Sequence, residues 1–350
     1  MIGILTFFQC YNYGAYLQAY ALHKYLKQKG YDNEFINYRS KLSEKNEYRH
    51  LVTVDGKKSG AYFRILLKML RFKIYHRKLK KTKRFYHSED LNTIHYQTVL
   101  VGSDQVWCYT REWGGFDPVY FSYGINARKI IAYAASMGPD NYDREHPEVI
   151  NSLMKNFDSI GVRDTNTFQF ARLFSGKDPQ IVLDPVCLYD FEKECKETTL
   201  EPYILFYSDA LTPSETVIDE LQRTAKEQGL MLVSLGKKFS WCDTNILSAS
   251  PFEWLGYIKN AQFIMTCMYH GLLFSIKYRR NFAVFLNEHR KNKCLDFLEN
   301  AGLTDRVIDR ETKFAAIFAS PIDYTRVQKF LDKKRKASEV FLDNCLKDHG

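Results

Sequence analysis

The sequence predicts an α/β fold built as two doubly wound domains with parallel sheets. Three observations predict it. Apolar runs of strand length recur without polar alternation, as buried parallel strands require. Segments with helical spacing of apolar residues alternate with them. Midway, residues 190–202, "DFEKECKETTLEP", carry no apolar run and read as a linker between two such series.

In the first series, "MIGILTFF" is the opening strand. It lacks a basic leader and is shorter than a signal core or a membrane span. "GAYLQAYALHKYLKQKG" is a helix with a stripe at Leu17, Tyr20, Ala21 and Tyr25, stopped by Gly30. "NEFINY" returns as a strand, and this strand–helix–strand opening implies a right-handed parallel unit. Residues 57–90 are expected to form basic helices. "TVLVGSD", "KIIAYAAS", "SIGVRD" and "IVLDP" are further strands, with the helix "TNTFQFARLF" between the last two.

The second series runs through "YILFYS", a helix over 213–228, "LMLVSLG", a helix over 252–260, then "FIMTCMYHGLLFSI" and "FAVF". The helix "FAAIFAS" and a long basic helix over about 323–347 close the chain. The expected domains are 1–192 and 203–320, placed face to face, with 321–350 crossing back onto the first.

Composition is that of a globular protein, with 45 % hydrophobic and 26 % charged residues and no low-complexity tract. The expected location is the cytoplasm, at the inner face of the membrane. Eight scattered cysteines without a CxxC pair argue against a zinc site or a disulfide framework. Of the net charge of +9, much sits in residues 71–87, "RFKIYHRKLKKTKRFYH", which contain no acid. That run is either a solvated helix face or a surface for an anionic membrane or a lipid-phosphate-linked substrate. No nucleic-acid motif accompanies it, so nucleic acid is not an expected partner.

Ligands of doubly wound folds sit beyond the carboxyl ends of the strands. The polar groups there are Tyr11, Asn12 and Tyr13 after the first strand, Asp104 and Gln105 after "VLVG", and Ser136 after "AYAA". Arg163-Asp164, Asp184, Lys237-Lys238 and His270 end later strands, and Arg290 lies close in sequence. GxSxG, HExxH, the P-loop and GxGxxG after strand one are all missing, which removes support for serine, zinc and Rossmann redox chemistry. The remaining set suits a small anionic ligand, one acid (His270) and a base (Asp104 or Asp184). Each also has a structural reading: a core histidine, a helix cap at Asp104, a turn at Asp184-Pro185 and an ion pair at Arg163.

"NYGAYLQAYAL", "VGSDQVW", "AYAASMG", "VRD", "VLDP" and "YHGLLFSI…FAVF" follow in this order. Together they resemble the polysaccharide pyruvyl transferase family, in a branch marked by "GSDQVW", from residue 2 to about 307. The resemblance implies a glycosyltransferase-B-like architecture. It also implies transfer of the enolpyruvyl unit of phosphoenolpyruvate onto a sugar as a ketal, with release of phosphate. The acceptor is then a cell-surface polysaccharide, capsular or exopolysaccharide, or its lipid-linked oligosaccharide precursor. By the same resemblance Arg163 holds the donor's anion and His270 is the acid; the cations Lys237, Lys238 and Arg290, with Gly271, are the further residues expected on the donor side. Tyr11, Asn12 and Tyr13 are expected on the acceptor side, since sugars stack on aromatics, with Gln105 and Ser136; Asn12 also reads as a turn residue and Gln105 as packing, and no metal or cofactor is required beyond phosphoenolpyruvate as co-substrate. The chain departs from many relatives at Cys267 and Met268, before the HG pair, and at Ala15. The alternatives are a glycosyltransferase with a nucleotide-sugar donor, for which Glu288 would bind ribose, a catalytically weak member, and a non-catalytic assembly partner.

Overall fold

A computed structural model describes residues 1–54, 57–58, 61–111, 114–309 and 313–347, with backbone alone at 52–54, 57–58 and 288–290. The chain divides into two compact units. The first is Met1–Ser59, Tyr75–Asp190 and Leu331–Gly350; the second is Gly60–Ile74 and Phe191–Phe330. Up to residue 190 the elements are β1 (Ile2–Leu5), α1 (Tyr13–Gln28), β2 (Asn33–Phe35), α2 (Lys41–Val52), β3 (Thr53–Val54), β4 (Lys57–Lys58), α3 (Tyr62–Arg77), β5 (Tyr96–Val101), β6 (Ala127–Ala135), α4 (Val149–Leu153), β7 (Ser159–Val162), α5 (Thr165–Ser175) and β8 (Gln180–Ile181). Then come β9 (Tyr203–Tyr207), α6 (Glu215–Glu227), β10 (Met231–Leu235), β11 (Thr244–Ile246), α7 (Pro251–Asn260), β12 (Phe263–Thr266), α8 (Tyr269–Lys277), β13 (Asn281–Phe285), α9 (Glu288–Ala301), β14 (Val307–Ile308), α10 (Phe314–Ala319) and α11 (Tyr324–Leu346).

The first sheet has the order β2-β1-β5-β6-β7-β8, the second β11-β10-β9-β12-β13-β14, and every pair in both is parallel. The winding direction reverses between β1 and β5 in the first sheet and between β9 and β12 in the second. These reversals leave crevices at the carboxyl ends of those strands. The non-alternating strands are buried on both faces, as at Val99, Leu100 and Val101 or Ile264 and Met265. Helix α1 is buried well beyond its expected stripe, from Tyr13 to His23 and at Tyr25 and Leu26.

Local sequence explains the helix ends. Asn12 caps α1 through Ala15 N, Asp164 caps α5 through Thr167 N, and Ser250 with Glu253 forms a reciprocal capping box on α7 behind Pro251. Gly176 and Gly302 close α5 and α9 in the left-handed conformation.

One expectation changes. The basic segment 57–90 is not helical throughout: α3 ends at Arg77, and residues 78–87 run extended beside β2. Phe35 N donates to Lys80 O (2.9 Å), Thr82 N to Phe35 O (3.0 Å) and Phe85 N to Asn37 O (2.9 Å). An edge strand leaves backbone groups open, and this segment satisfies them while burying Leu79 and Phe85. The segment also divides, since 60–74 groups with the second unit. Residues 190–202 lack regular structure and are mostly exposed, and the division between the two units falls at their start, with a few anchored positions. Phe191 is fully buried and edge-on to Phe274 at 5.4 Å, and Lys196 N donates to Phe252 O at 3.2 Å.

All eight cysteines are free, and most are buried. Among the described residues no helix is long and apolar enough to cross a membrane.

Candidate functional site

The first unit gathers its motif residues into one network beyond the ends of β5, β6, β7 and β8. Gly102 ends β5 with φ +105, and a side chain there would meet Tyr133 O at 2.6 Å. Asp104 follows with φ +82, a conformation that turns its carboxylate toward β7. Arg163, at the end of β7, reaches both acids: Nη1 lies 2.8 Å from Asp184 Oδ2 and Nη2 3.2 Å from Asp104 Oδ1. Ser103 Oγ also donates to Asp184 Oδ2 (3.2 Å), and Asp184 Oδ1 accepts from Val186 N (3.1 Å). Behind them Ser136 Oγ donates to Asp164 Oδ2 at 2.7 Å, and Trp107 fills the core with Nε1 donating to Tyr120 O at 2.9 Å.

This placement sorts the candidates. The Arg163 side chain is 1 % exposed and pairs with two carboxylates, which places it inside the network that holds Asp104 and Asp184. The Asp184 side chain is buried, and it accepts from Arg163, Ser103 and Val186 N. Asp104 is 16 % exposed, takes Gln105 N as a second donor (2.8 Å), and is the more open of the two acids. Ser136 and Tyr13 are buried, and Asn12, exposed at the start of α1, caps that helix by accepting from Ala15 N. Tyr11 and Gln105 remain part-exposed. Tyr11 N donates to Glu47 Oε1 (2.9 Å), and burial, with Glu47, raises the Tyr11 hydroxyl above its ordinary range.

Residues not singled out in the sequence line a cleft beyond β1 and β2: Cys10, Tyr38, Arg39, Ser43, Asp117 and Tyr120. Arg39 pairs with Glu47, and Tyr38 Oη donates to Asp117 at 3.2 Å. Burial pushes the Asp117 carboxyl and the Cys10 thiol up. The same strand-end rule that found Asp104 would have found Arg39 had it been applied to "INYR".

In the second unit His270 is the second residue of α8, just beyond β12 and at the reversal between β9 and β12. It is part-exposed, and its ring lies 5.6 Å from that of Tyr269. The loop beneath is fixed by Thr266, whose Oγ1 donates to Tyr207 O (2.7 Å) and accepts from Met268 N (3.0 Å). Gly271 lets α8 close on that strand: a methyl there would collide with Thr266 Oγ1 and meet Tyr207 Cδ1 at 2.9 Å. Cys267 faces Ser208 Oγ at 3.2 Å. Lys237 and Lys238 follow β10 at the same carboxyl edge, after Gly236 with φ +89. The side chains of Glu288 and Arg290 lie outside the described residues.

A family model described as polysaccharide pyruvyl transferase matches residues 12–289, from the cap of α1 past β13. The chain belongs to the polysaccharide pyruvyl transferase family. No curated protein matches it in sequence. Among solved structures, this pyruvyl transferase family member is similar in fold to S. aureus MnaA in a co-structure with UDP. That likeness has 14 % identity over 98 % of this chain and 95 % of that one, with TM-score 0.51. The Neisseria meningitidis UDP-GlcNAc 2-epimerase bound to UDP-GlcNAc gives 9 % identity, 99 % of both chains and TM-score 0.49. E. coli heptosyltransferase WaaC with ADP gives 10 % identity, 95 % and 100 % of the chains and TM-score 0.42. The fold of this pyruvyl transferase family member is therefore two parallel-sheet domains of the glycosyltransferase-B-like kind, and its family modifies polysaccharide.

Proposed function

We propose that the chain forms a pyruvate ketal on a sugar, using phosphoenolpyruvate as donor. The observation that carries this reading is His270 at the start of α8, at the carboxyl-edge crevice of the second sheet, within the stretch matched by the family. His270 would donate a proton to the methylene carbon of phosphoenolpyruvate, which leaves an oxocarbenium-like centre at the adjacent carbon. One sugar hydroxyl attacks that centre, and a second displaces phosphate to close the ketal. Asp104 is proposed as a base for an acceptor hydroxyl, supported by its partial exposure and its ion pair with Arg163. Lys237 and Lys238 are proposed for the donor's anionic groups, since strand-end cations suit a phosphate beside a carboxylate.

Phosphoenolpyruvate-dependent phosphate release with a sugar acceptor checks this reading. His270→Gln should lose about 10²- to 10⁴-fold in turnover while keeping its fold, because glutamine hydrogen-bonds but cannot deliver a proton. In heavy water the wild type should place deuterium in the ketal methyl group. Near wild-type turnover in His270→Gln removes His270 as the acid. Stabilisation by UDP-sugars and not by phosphoenolpyruvate would favour the nucleotide-sugar reading instead.

A further inference from the structure

Helix α3 is amphipathic in the reverse sense. Lys68, Met69 and Phe72 face inward, whereas Phe63, Leu67, Leu70 and Ile74 are exposed, at 84, 42, 55 and 45 %. Their spacing of four, three and four residues puts all four in one line, about 16 Å long, along the outward face. At 100° per residue, Lys73 and Arg77 fall on one flank of that line, and Arg64 and Arg71 on the other. From residue 57 to residue 87 the sequence has no acid.

The charge run alone is not the feature. Several of its cations are already engaged: Arg71 with Glu253 at 2.8 Å, Lys80 with Asp32 at 2.8 Å, Arg84 with Glu44 at 2.8 Å, and Lys81 with the carbonyls of His76 and Leu79. Among the described residues no ion pair holds Arg64, Lys73 or Arg77. The surface left over is an apolar ridge with cations along both sides.

We propose that this face of α3 lies in the interface of an anionic lipid bilayer. The apolar line enters the acyl boundary, and Arg64, Lys73 and Arg77 meet lipid phosphates at headgroup depth. A bilayer fits better than an acidic protein groove. A groove wraps a helix, whereas the inward half of α3 is already packed and only a convex ridge is offered, which suits a plane. The long stems of the flanking cations let their charges reach the headgroups while the ridge stays immersed. This surface is independent of any reaction at His270.

Vesicle flotation of the full chain tests it, with phosphatidylcholine vesicles carrying or lacking phosphatidylglycerol. The wild type should float with the anionic vesicles at low ionic strength and lose them as salt rises. Phe63→Ser with Leu70→Ser should lower the partition coefficient about 100-fold, since each change removes roughly the burial of one large apolar side chain. Lys73→Glu with Arg77→Glu should lower it about tenfold or more and flatten the salt dependence. All four positions are exposed, so circular dichroism should report an unchanged fold. The proposal is overturned if the wild type does not float, or if the serine variant floats equally well. It is also overturned if sedimentation shows a self-association that the same serine changes abolish while vesicles are ignored, which would make a second copy the partner.

Discussion

Arg163 sits between two acids in the interior of the first unit, and its removal would break an ion pair to each. Arg163→Met should therefore cost about 3–5 kcal/mol of stability, the usual result of breaking a buried pair from one side. Arg163→Lys should cost less but not nothing, because one ammonium cannot fork to two carboxylates. Urea denaturation checks both; an unchanged midpoint in Arg163→Met would mean the acids do not depend on it. His76 offers a pH dependence. Burial, with Lys81 and Arg39 adding to it, pushes its imidazole down to about 3, while its ring packs against Tyr11 and Tyr16 at 6.1 and 5.5 Å. The folded state thus holds His76 neutral where the unfolded chain takes a proton near pH 6.5. Its contribution is complete above that value and is lost as pH falls from about 6.5 toward 3. Between pH 7 and pH 5 the wild type should lose roughly 1–2 kcal/mol from this group, and His76→Phe should be flatter over the same window. Equal slopes for the two proteins would show that His76 titrates alike folded and unfolded.

At the scale of elements, the turn before α8 carries the tightest fit near the candidate acid. Gly271 is there because the helix touches Thr266 and Tyr207, not because its backbone needs glycine's freedom. Gly271→Ala should lower stability by about 1–3 kcal/mol, as overpacking does, and should shift the first turn that carries His270. A thermal midpoint and turnover both equal to wild type would show that α8 stands further from β12. The caps at Asn12, Asp164 and Ser250 were legible as residue types in their sequence positions. The extended run 78–87 was not. Its Lys-rich composition fits a helix as well as a strand, and only the open edge of β2 selects the strand. Arg163 as an ion pair and Asp184 at a strand-end turn were both legible as alternatives. The choice between donor contact and interior network was not, because it depends on which side chains converge from four strands.

For the molecule as a whole, the alternation of buried apolar runs with helical segments was enough to specify parallel α/β units. Strands hidden on both faces cannot alternate, and right-handed crossovers leave few topologies. The motifs from "NYGAYLQAYAL" to "YHGLLFSI" were enough to specify the family, since those residues are fixed by caps, close approaches and buried partners that tolerate little else. Sequence by itself therefore determined the fold class, the family and the carboxyl edges where candidate groups lie. Tertiary structure alone decided strand order, and with it that His270 stands at one reversal and Asp104 at another. It alone decided which charges are spent inside, as at Arg163, and which apolar residues are left outside, as on α3. The physical reason is range: period and capping act over a few residues along the chain, whereas desolvation and pairing are set by neighbours that only folding brings together.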